Sequence, residues 1–291
     1  MADRIMVTGA AGMLGRDVVA HLEGRPGLEV IGVDSHDFDI TQRELVLEAV
    51  TNIAPCWIIH GAALTAVEAC ETEPERAFAV NAYGTRNLAE AARRVGAHVA
   101  YVSTDYVFDG KLKRPYTEWD AVGPRSVYGL SKLGGERAMD PEWTIVRTAW
   151  LFGQHGPNMV RTVLRLAREA TGSRRRLPFV DDQNGCPTAS SDLAPVLADL
   201  ALSRVPGVFH VTNQGPTTWF GLARAVVEQA GLDPSLVEPI STAQLDPPLL
   251  APRPANSVLD NLALRLSGRP LLADWHEPAA RLIDLFLKEE S

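Results

Sequence analysis

Apolar positions change their period along the chain. RIMVTG (4–9), LEVIGVD (28–34), CWIIHGA (56–62), HVAYVSTD (98–105) and WTIVRTAWLF (143–152) are short, nearly continuous runs rich in β-branched residues. Such runs suit strands buried on both faces. The segments between them, at 15–24, 41–51, about 75–94 and from Tyr128 onward, read as helices. Strands separated by helices of about 10–15 residues predict βαβ units and an α/β, Rossmann-like, doubly wound parallel sheet. Sheets of that kind take ligands at the carboxyl ends of their strands, where the strand order reverses.

Beyond residue 152 the pattern loosens. Helices are expected over 158–170 and about 190–202, and GVFHVTN (207–213) reads as one more strand of the first sheet. The expected organisation is therefore interleaved. A dinucleotide-binding part spans 1–152 and is rejoined by about 190–213, while a smaller, mostly C-terminal α/β part takes 153–189 and 214–291. LDPPLLAPRPANSVLD (245–260) reads as a loop lying over something, because proline blocks regular structure. The tail from 275 to 287 has the spacing of an amphipathic helix.

The charge changes the picture in one respect. At −8 over 291 residues, the chain lacks the basic footprint of a nucleic-acid binder, so an anionic ligand needs a local basic pocket. No apolar run approaches the length of a membrane span, and the first residues pass straight into a strand. Both features predict a cytoplasmic protein with no membrane partner. Cys56, Cys70 and Cys186 are odd in number, far apart and without metal-ligand spacing, which suits a reducing compartment.

VTGAAGMLGRDVV (7–19) sets Gly9, Gly12 and Gly15 between a predicted strand and a predicted helix. That context predicts a tight turn bringing main chain and helix N-terminal amides to a pyrophosphate. Asp34 closes the next strand, where an acid bonds a ribose 2′-hydroxyl. It favours NAD over NADP, a preference blurred by nearby Arg16 and His36.

SVYGLSKLGGERAM (126–139) sets Lys132 four residues after Tyr128, on one helix face. A free phenol titrates near pH ~10, so an ammonium that lowers its pKa makes it a better acid. Thr104, ending a strand, would add a second hydroxyl beside a carbonyl oxygen. The alternative is a pair on a wetted surface. Only four lysines and five tyrosines occur, so a chance match downstream of a glycine loop is the weaker explanation. Tyr106 follows Thr104 but has no lysine four residues on, and is assigned to the pocket wall.

The G-x-x-G-x-x-G spacing with IIHGAAL (58–64) and VNAYGTRNLAEAA (80–92) resembles the extended short-chain dehydrogenase/reductase superfamily. GAALTAVEACETEP, STDYVFDG, RTAWLFG, GPNMVRTVLRLA, DDQNGCPT and PRPANSVLD, in this order, resemble the dTDP-4-dehydrorhamnose reductase family along nearly the whole chain. The resemblance implies NAD(P)H-dependent reduction of the 4-keto group of a dTDP-6-deoxyhexulose in dTDP-rhamnose biosynthesis, with Thr104, Tyr128 and Lys132 as the catalytic triad. It implies cofactor contacts at Gly9, Gly12, Met13, Leu14, Gly15, Asp34, Asp39, Ile40, Ala62, Ala63, Tyr128 and Lys132. Substrate contacts are implied at Thr65, Val67, Tyr106, Trp150, Asn158 and Arg253. Arg161 and Arg174–Arg175–Arg176 are further candidates for the diphosphate.

The chain departs from the family at His60-Gly61-Ala62-Ala63, at Cys186, and at Asp17 and Asp192. Some relatives hold Mg²⁺ with glutamates at a dimer contact where those two aspartates stand, so Mg²⁺ and a homodimer are left open. Two alternatives stay open as well: a related nucleotide-sugar 4-ketoreductase, and a non-catalytic dinucleotide-binding regulatory subunit. A 4,6-dehydratase fits less well, because Tyr106 stands where that family resembles T-D-E.

Overall fold

The computed structural model describes residues 2–173 and 175–289. The first half alternates as predicted: β1 (Asp3–Thr8), α1 (Met13–Leu22), β2 (Leu28–Val33), α2 (Arg43–Ile53), β3 (Trp57–His60), α3 (Val67–Thr72), α4 (Pro74–Phe78), α5 (Thr85–Val95), β4 (His98–Thr104), α6 (Val127–Glu136) and β5 (Thr144–Thr148). The second half adds β6 (Leu151–Phe152), α7 (Met159–Ala170), β7 (Leu177–Val180), β8 (Asn184–Gly185), β9 (Thr188–Ala189), α8 (Ser190–Leu202), β10 (Gly207–His210), β11 (Thr217–Thr218), α9 (Trp219–Gln229), β12 (Val237–Ile240), α10 (Leu262–Leu266) and α11 (His276–Glu289).

Six strands form one parallel sheet in the order β10-β5-β4-β3-β1-β2. Alternate residues of each strand serve opposite helical layers, as the period of two requires. Ile5, Val7, Ile59, Ala100 and Val146 pack with Leu14 and Val18 of α1 and Leu193 and Leu197 of α8. Met6, Ile58, Val99 and Tyr101 pack on the other face with Val46 and Val50 of α2 and Leu88 and Ala92 of α5. Each such aliphatic side chain contributes about 1.5–3 kcal/mol by leaving water. The strand expected at 207–213 does rejoin this sheet, with Val208 beside Ile145. A separate apolar cluster joins α7, α9 and α11 to the paired strands β7 and β12.

Two expected elements differ from the pattern in the sequence. The helix expected over about 75–94 passes through a π-helical turn, Ala79–Gly84, between α4 and α5. WTIVRTAWLF is broken into β5 and β6, because Trp150 takes a left-handed backbone with φ 47°. Several short elements were not expected. The six residues of α3 are too few to show a period, and β7 and β12 carry Pro178 and Pro239. Helix α9 had a usable signal in its N-cap, where the Thr218 hydroxyl accepts from the Gly221 amide.

Strands β2 and β3 lie on either side of β1, so the order reverses there. The glycine turn after β1, the loop after β3 and Thr104 at the end of β4 all project from the carboxyl edge at this switch point.

Candidate active site

The nucleotide end is main chain. Gly9 has φ 71°, and a Cβ there would stand 2.9 Å from the Ala62 nitrogen. A Cβ on Gly15 would collide with the Gly9 carbonyl oxygen and lie 2.8 Å from Ala10 Cα, so only glycine lets α1 close on the turn. Gly12 is the N-cap of α1, and no side chain caps that terminus. Asp34 Oδ2 accepts from the Ala11 amide at 3.2 Å. A cavity of about 230 Å³ beside this turn is lined by Gly9, Asp34, Asp39, Ile40, Ala62 and Ala63 together with Phe38. All six belong to the expected cofactor set. Met13 lies against Gly153 and Leu14 is buried in the core, so the start of α1 presents main chain and not those side chains.

His60, where the chain departs from the family, is fully buried beneath this cavity. Thr8 Oγ1 lies 2.7 Å from His60 Nδ1 and accepts from the Ala62 amide at 3.3 Å. Thr85 Oγ1 lies 3.0 Å from His60 Nε2 and donates to the Asn81 carbonyl at 2.8 Å. With both hydroxyls so engaged, a neutral ring protonated at Nε2 satisfies every group. Burial, reinforced by Lys132, pushes the imidazole down to about 3.

The proton-transfer end is assembled around α6. Ser126 caps the helix by accepting from the Gly129 amide at 3.1 Å, and Glu71 Oε1 of α3 accepts from the Val127 amide at 2.8 Å. Asn81, fully buried in the π-helical turn, donates to Ser131 Oγ at 2.9 Å and to the Leu64 carbonyl at 3.0 Å, and accepts from the Leu64 amide at 2.8 Å. It thereby fixes α6 to the loop after β3. Neither Asn81 nor Glu71 was among the expected site residues, although the first lies in VNAYGTRNLAEAA, a segment that carries the superfamily resemblance.

The Thr104 hydroxyl accepts from the Tyr106 amide at 3.2 Å and donates to Asp105 Oδ1 at 2.9 Å. Lys132 is buried; its Nζ donates to the Val102 carbonyl at 2.8 Å and sits 4.2 Å from the Tyr101 ring centre. Burial pushes that ammonium down to about 7, opposed by Glu136. Burial moves the Tyr128 phenol up, the Thr104 hydroxyl opposes, and Asp105 and Tyr106 reinforce.

Asp105 is a site residue the sequence reading passed over. Its carboxyl is buried, Oδ1 accepts from Thr104, and the other oxygen, Oδ2, has no hydrogen-bond partner. Burial raises it to about 6.

On the substrate side, Val67, Tyr106 and Arg253 line one cavity with Phe179, Gln183 and Trp219. Tyr106 meets the Tyr128 ring edge-on, with centres 5.6 Å apart, and is a wall as expected. Trp150 stacks on Trp219, centres 3.6 Å apart and planes 6° from parallel, and lies where a Cβ on Gly185 would intrude. Thr65 is exposed. Asn158 is not brought to this cavity. It caps α7, accepting from Arg161 N at 3.1 Å and donating to the Gly153 carbonyl at 2.8 Å. Arg161 lies over the Phe286 ring and Arg176 bonds Ser235, both away from the cavity. Arg175 is exposed, and Arg174 lies outside the described residues. Arg253 is the one candidate arginine in the cavity lining.

Of the aspartates weighed for Mg²⁺, Asp192 accepts from Arg281 Nη2 and Asn213 Nδ2, each at 2.9 Å, and Asp17 lies 3.8 Å from His155. No cluster of metal-ligating residues occurs among the described residues, and none of their helices is long and apolar enough to cross a membrane.

A family model described as RmlD substrate binding domain matches residues 3–287. The chain is 43% identical over 282 residues to a dTDP-4-dehydrorhamnose reductase of Streptomyces griseus, covering 94% of this chain and 90% of that one. It is 39% identical over 295 residues to a dTDP-4-keto-6-deoxy-D-glucose reductase of Streptomyces niveus, covering all of both. The fold matches a dTDP-4-dehydrorhamnose reductase of Bacillus anthracis str. Ames, solved in complex with NADP, at TM-score 0.89 and 35% identity, covering 98% and 99% of the two chains. Matched from end to end by that model, those relatives and this geometry, the chain belongs to the dTDP-4-dehydrorhamnose reductase family of extended short-chain dehydrogenase/reductases.

Proposed function

We propose that the protein reduces the 4-keto group of dTDP-4-dehydrorhamnose to give dTDP-L-rhamnose, with NAD(P)H as reductant. The observation that carries this reading is that Thr104 ends β4 on the same carboxyl edge as the glycine turn, with α6, which bears Tyr128 and Lys132, packed against that strand. The glycine cradle and the open N-terminus of α1 fit a dinucleotide pyrophosphate, and Asp34 suits the adenosine ribose. Bound there, a reduced nicotinamide supplies the hydride for the sugar's C4. Tyr128 gives its phenolic proton to the carbonyl oxygen, which completes the alcohol and leaves a phenolate. Lys132, when charged, stabilises that phenolate in a site of low dielectric. The Thr104 hydroxyl turns from Asp105 to the substrate oxygen and helps to polarise it. Trp150 and Tyr106 wall the sugar, and Arg253 meets the diphosphate.

This reading also takes the chain as two interleaved parts, with 1–152 and 190–213 serving the dinucleotide and 153–189 and 214–291 the sugar nucleotide. Three free cysteines, two of them buried, support a cytoplasmic setting.

The assay follows NAD(P)H absorbance with dTDP-4-dehydrorhamnose. Tyr128→Phe is expected to lower kcat by at least about 100-fold, the usual contribution of a positioned acid. Undiminished turnover in that variant would remove Tyr128 from the acid role. The Streptomyces niveus relative supports a second reading, reduction of dTDP-4-keto-6-deoxy-D-glucose, and running both sugars side by side decides between them. A wild type that binds cofactor and oxidises none with either sugar is a regulatory subunit.

A further inference from the structure

The Pro-rich strap at 245–260 is tied down unevenly. Its second half is stitched from both sides. Asn256 Nδ2 donates to the Leu112 and Arg114 carbonyls at 2.8 and 2.9 Å, the Asn184 amide donates to the Ala255 carbonyl at 2.9 Å, and the Ser257 amide donates to the Asn184 carbonyl at 2.8 Å. The stretch 246–253 has no such frame. Among the described residues a single side chain hydrogen-bonds its main chain, that of Glu68 on α3. Glu68 Oε1 accepts from Arg253 Nη2 at 2.7 Å, and Oε2 accepts from the amides of Leu250 at 2.8 Å and Ala251 at 3.3 Å. Leu249 and Leu250 are otherwise exposed.

This stretch supplies Leu249 and Arg253 to the substrate-side cavity, whose lining also includes Val67, the neighbour of Glu68. Arg253 also sits beside the Tyr106 ring, 5.7 Å from its centre. Its second terminal nitrogen, Nη1, is buried and has no hydrogen-bond partner. A guanidinium presents its N–H groups in a rigid planar fork, so an acceptor that takes Nη2 also fixes where Nη1 points. Glu68 thus sets the plane of Arg253, whose Nη1 is left free to donate.

We infer that Glu68 is a positioning residue for the substrate, a latch that holds the strap and Arg253 over the phosphate-bearing part of a nucleoside diphosphate sugar. The inference rests on the proposed substrate class and names the residue that closes that site. Two effects of removing Glu68 oppose each other. A carboxylate near a diphosphate repels it, so deletion relieves a like charge. Deletion also releases three donors and frees the strap, so each binding event must order it again. The repulsion is muted because the carboxylate is already neutralised by Arg253, and the loss of order dominates.

The test titrates dTDP and, separately, NADPH into the full chain by calorimetry for wild type, Glu68→Gln and Glu68→Ala, with thermal melts and steady-state kinetics. The dTDP Kd is expected to rise about 10-fold or more in Glu68→Ala and less in Glu68→Gln, which keeps one acceptor. KM for the sugar nucleotide should rise in step, with kcat and the NADPH Kd nearly unchanged. Unchanged or tighter dTDP binding overturns the latch, and so does a parallel loss of dTDP and NADPH binding with a falling Tm, which marks general damage. A wild type that does not bind dTDP overturns it as well. If dTDP binding falls as expected while no 4-keto sugar is reduced, the latch stands and the proposed reaction fails.

Discussion

At the nucleotide end of the cleft the turn after β1 presents main chain, set by the glycines of one short local motif, between the segments that follow β2 and β3. Gly9 and Gly15 do their work by having no side chain, and the rigid sheet edge holds them in place. At the sugar end the walls are side chains gathered from α3, the turn after β4, the break after β5, α9 and the Pro-rich strap. Each is held by a specific partner: Arg253 by Glu68, Trp150 by Trp219, Trp219 by Gln183 at 3.2 Å. A backbone site tolerates little change and recognises what a dinucleotide must have. A side-chain site is adjustable piece by piece, which is where relatives acting on different ketohexoses have room to differ.

Three substitutions probe that contrast. The largest effect is expected from Gly15→Val, which drives a branched side chain into the Gly9 carbonyl. NADPH affinity should fall roughly 100-fold, the upper part of the overpacking range, while dTDP binding stays within a few-fold. Calorimetry on the variant reads both, and an equal loss of the two would mean that the ends are not independent.

Next comes Asp105, the buried carboxyl of the sugar end. Its folded pKa is raised to about 6 from an ordinary 3.8, so between those values the folded chain binds more protons than the unfolded one. Wild-type stability from this group therefore falls as pH rises from about 4 to about 6, and the deficit persists above that. Asp105→Asn cannot ionise. Its stability relative to wild type should be greater at pH 8 than at pH 4, by roughly 2 kcal/mol. Denaturant melts at the two pH values check this, and a pH-independent difference would show that Asp105 does not titrate in this window.

The smallest effect is expected from Trp219→Ala, which leaves Trp150 without its stacking partner. An aromatic pair contributes about 0.5–1.5 kcal/mol beyond its buried area, so KM for the sugar nucleotide should rise about 2- to 10-fold. The NADPH KM should not move. A change in kcat alone would place Trp219 nearer the reacting atoms than the stack implies.

The same contrast governs what could be read from the sequence. Gly9, Gly12, Gly15, Tyr128 and Lys132 were legible because their spacing within one turn is itself the constraint. Strand β10 was legible because an isolated apolar run needs a sheet to join. Glu68 was not, since its partners lie more than 180 residues away along the chain. Trp150 looked like part of a strand, for nothing local announces that Gly185 and Trp219 will trade strand geometry for a stack. Asn158 kept its family position but serves as a helix cap, a role that asparagine takes whenever a helix begins beside it.

The π-helical turn at Ala79–Gly84 carries a final implication for how this chain can vary. It amounts to one residue more than a straight helix would need, and that surplus swings Asn81 inward to brace the Tyr128 helix. Removing any one residue there would give α4 and α5 a more regular ladder of hydrogen bonds and at the same time turn one side of the helix by about 100°. The local gain in regularity and the loss of the brace are the same event, so this stretch can accept substitutions but not a change of length.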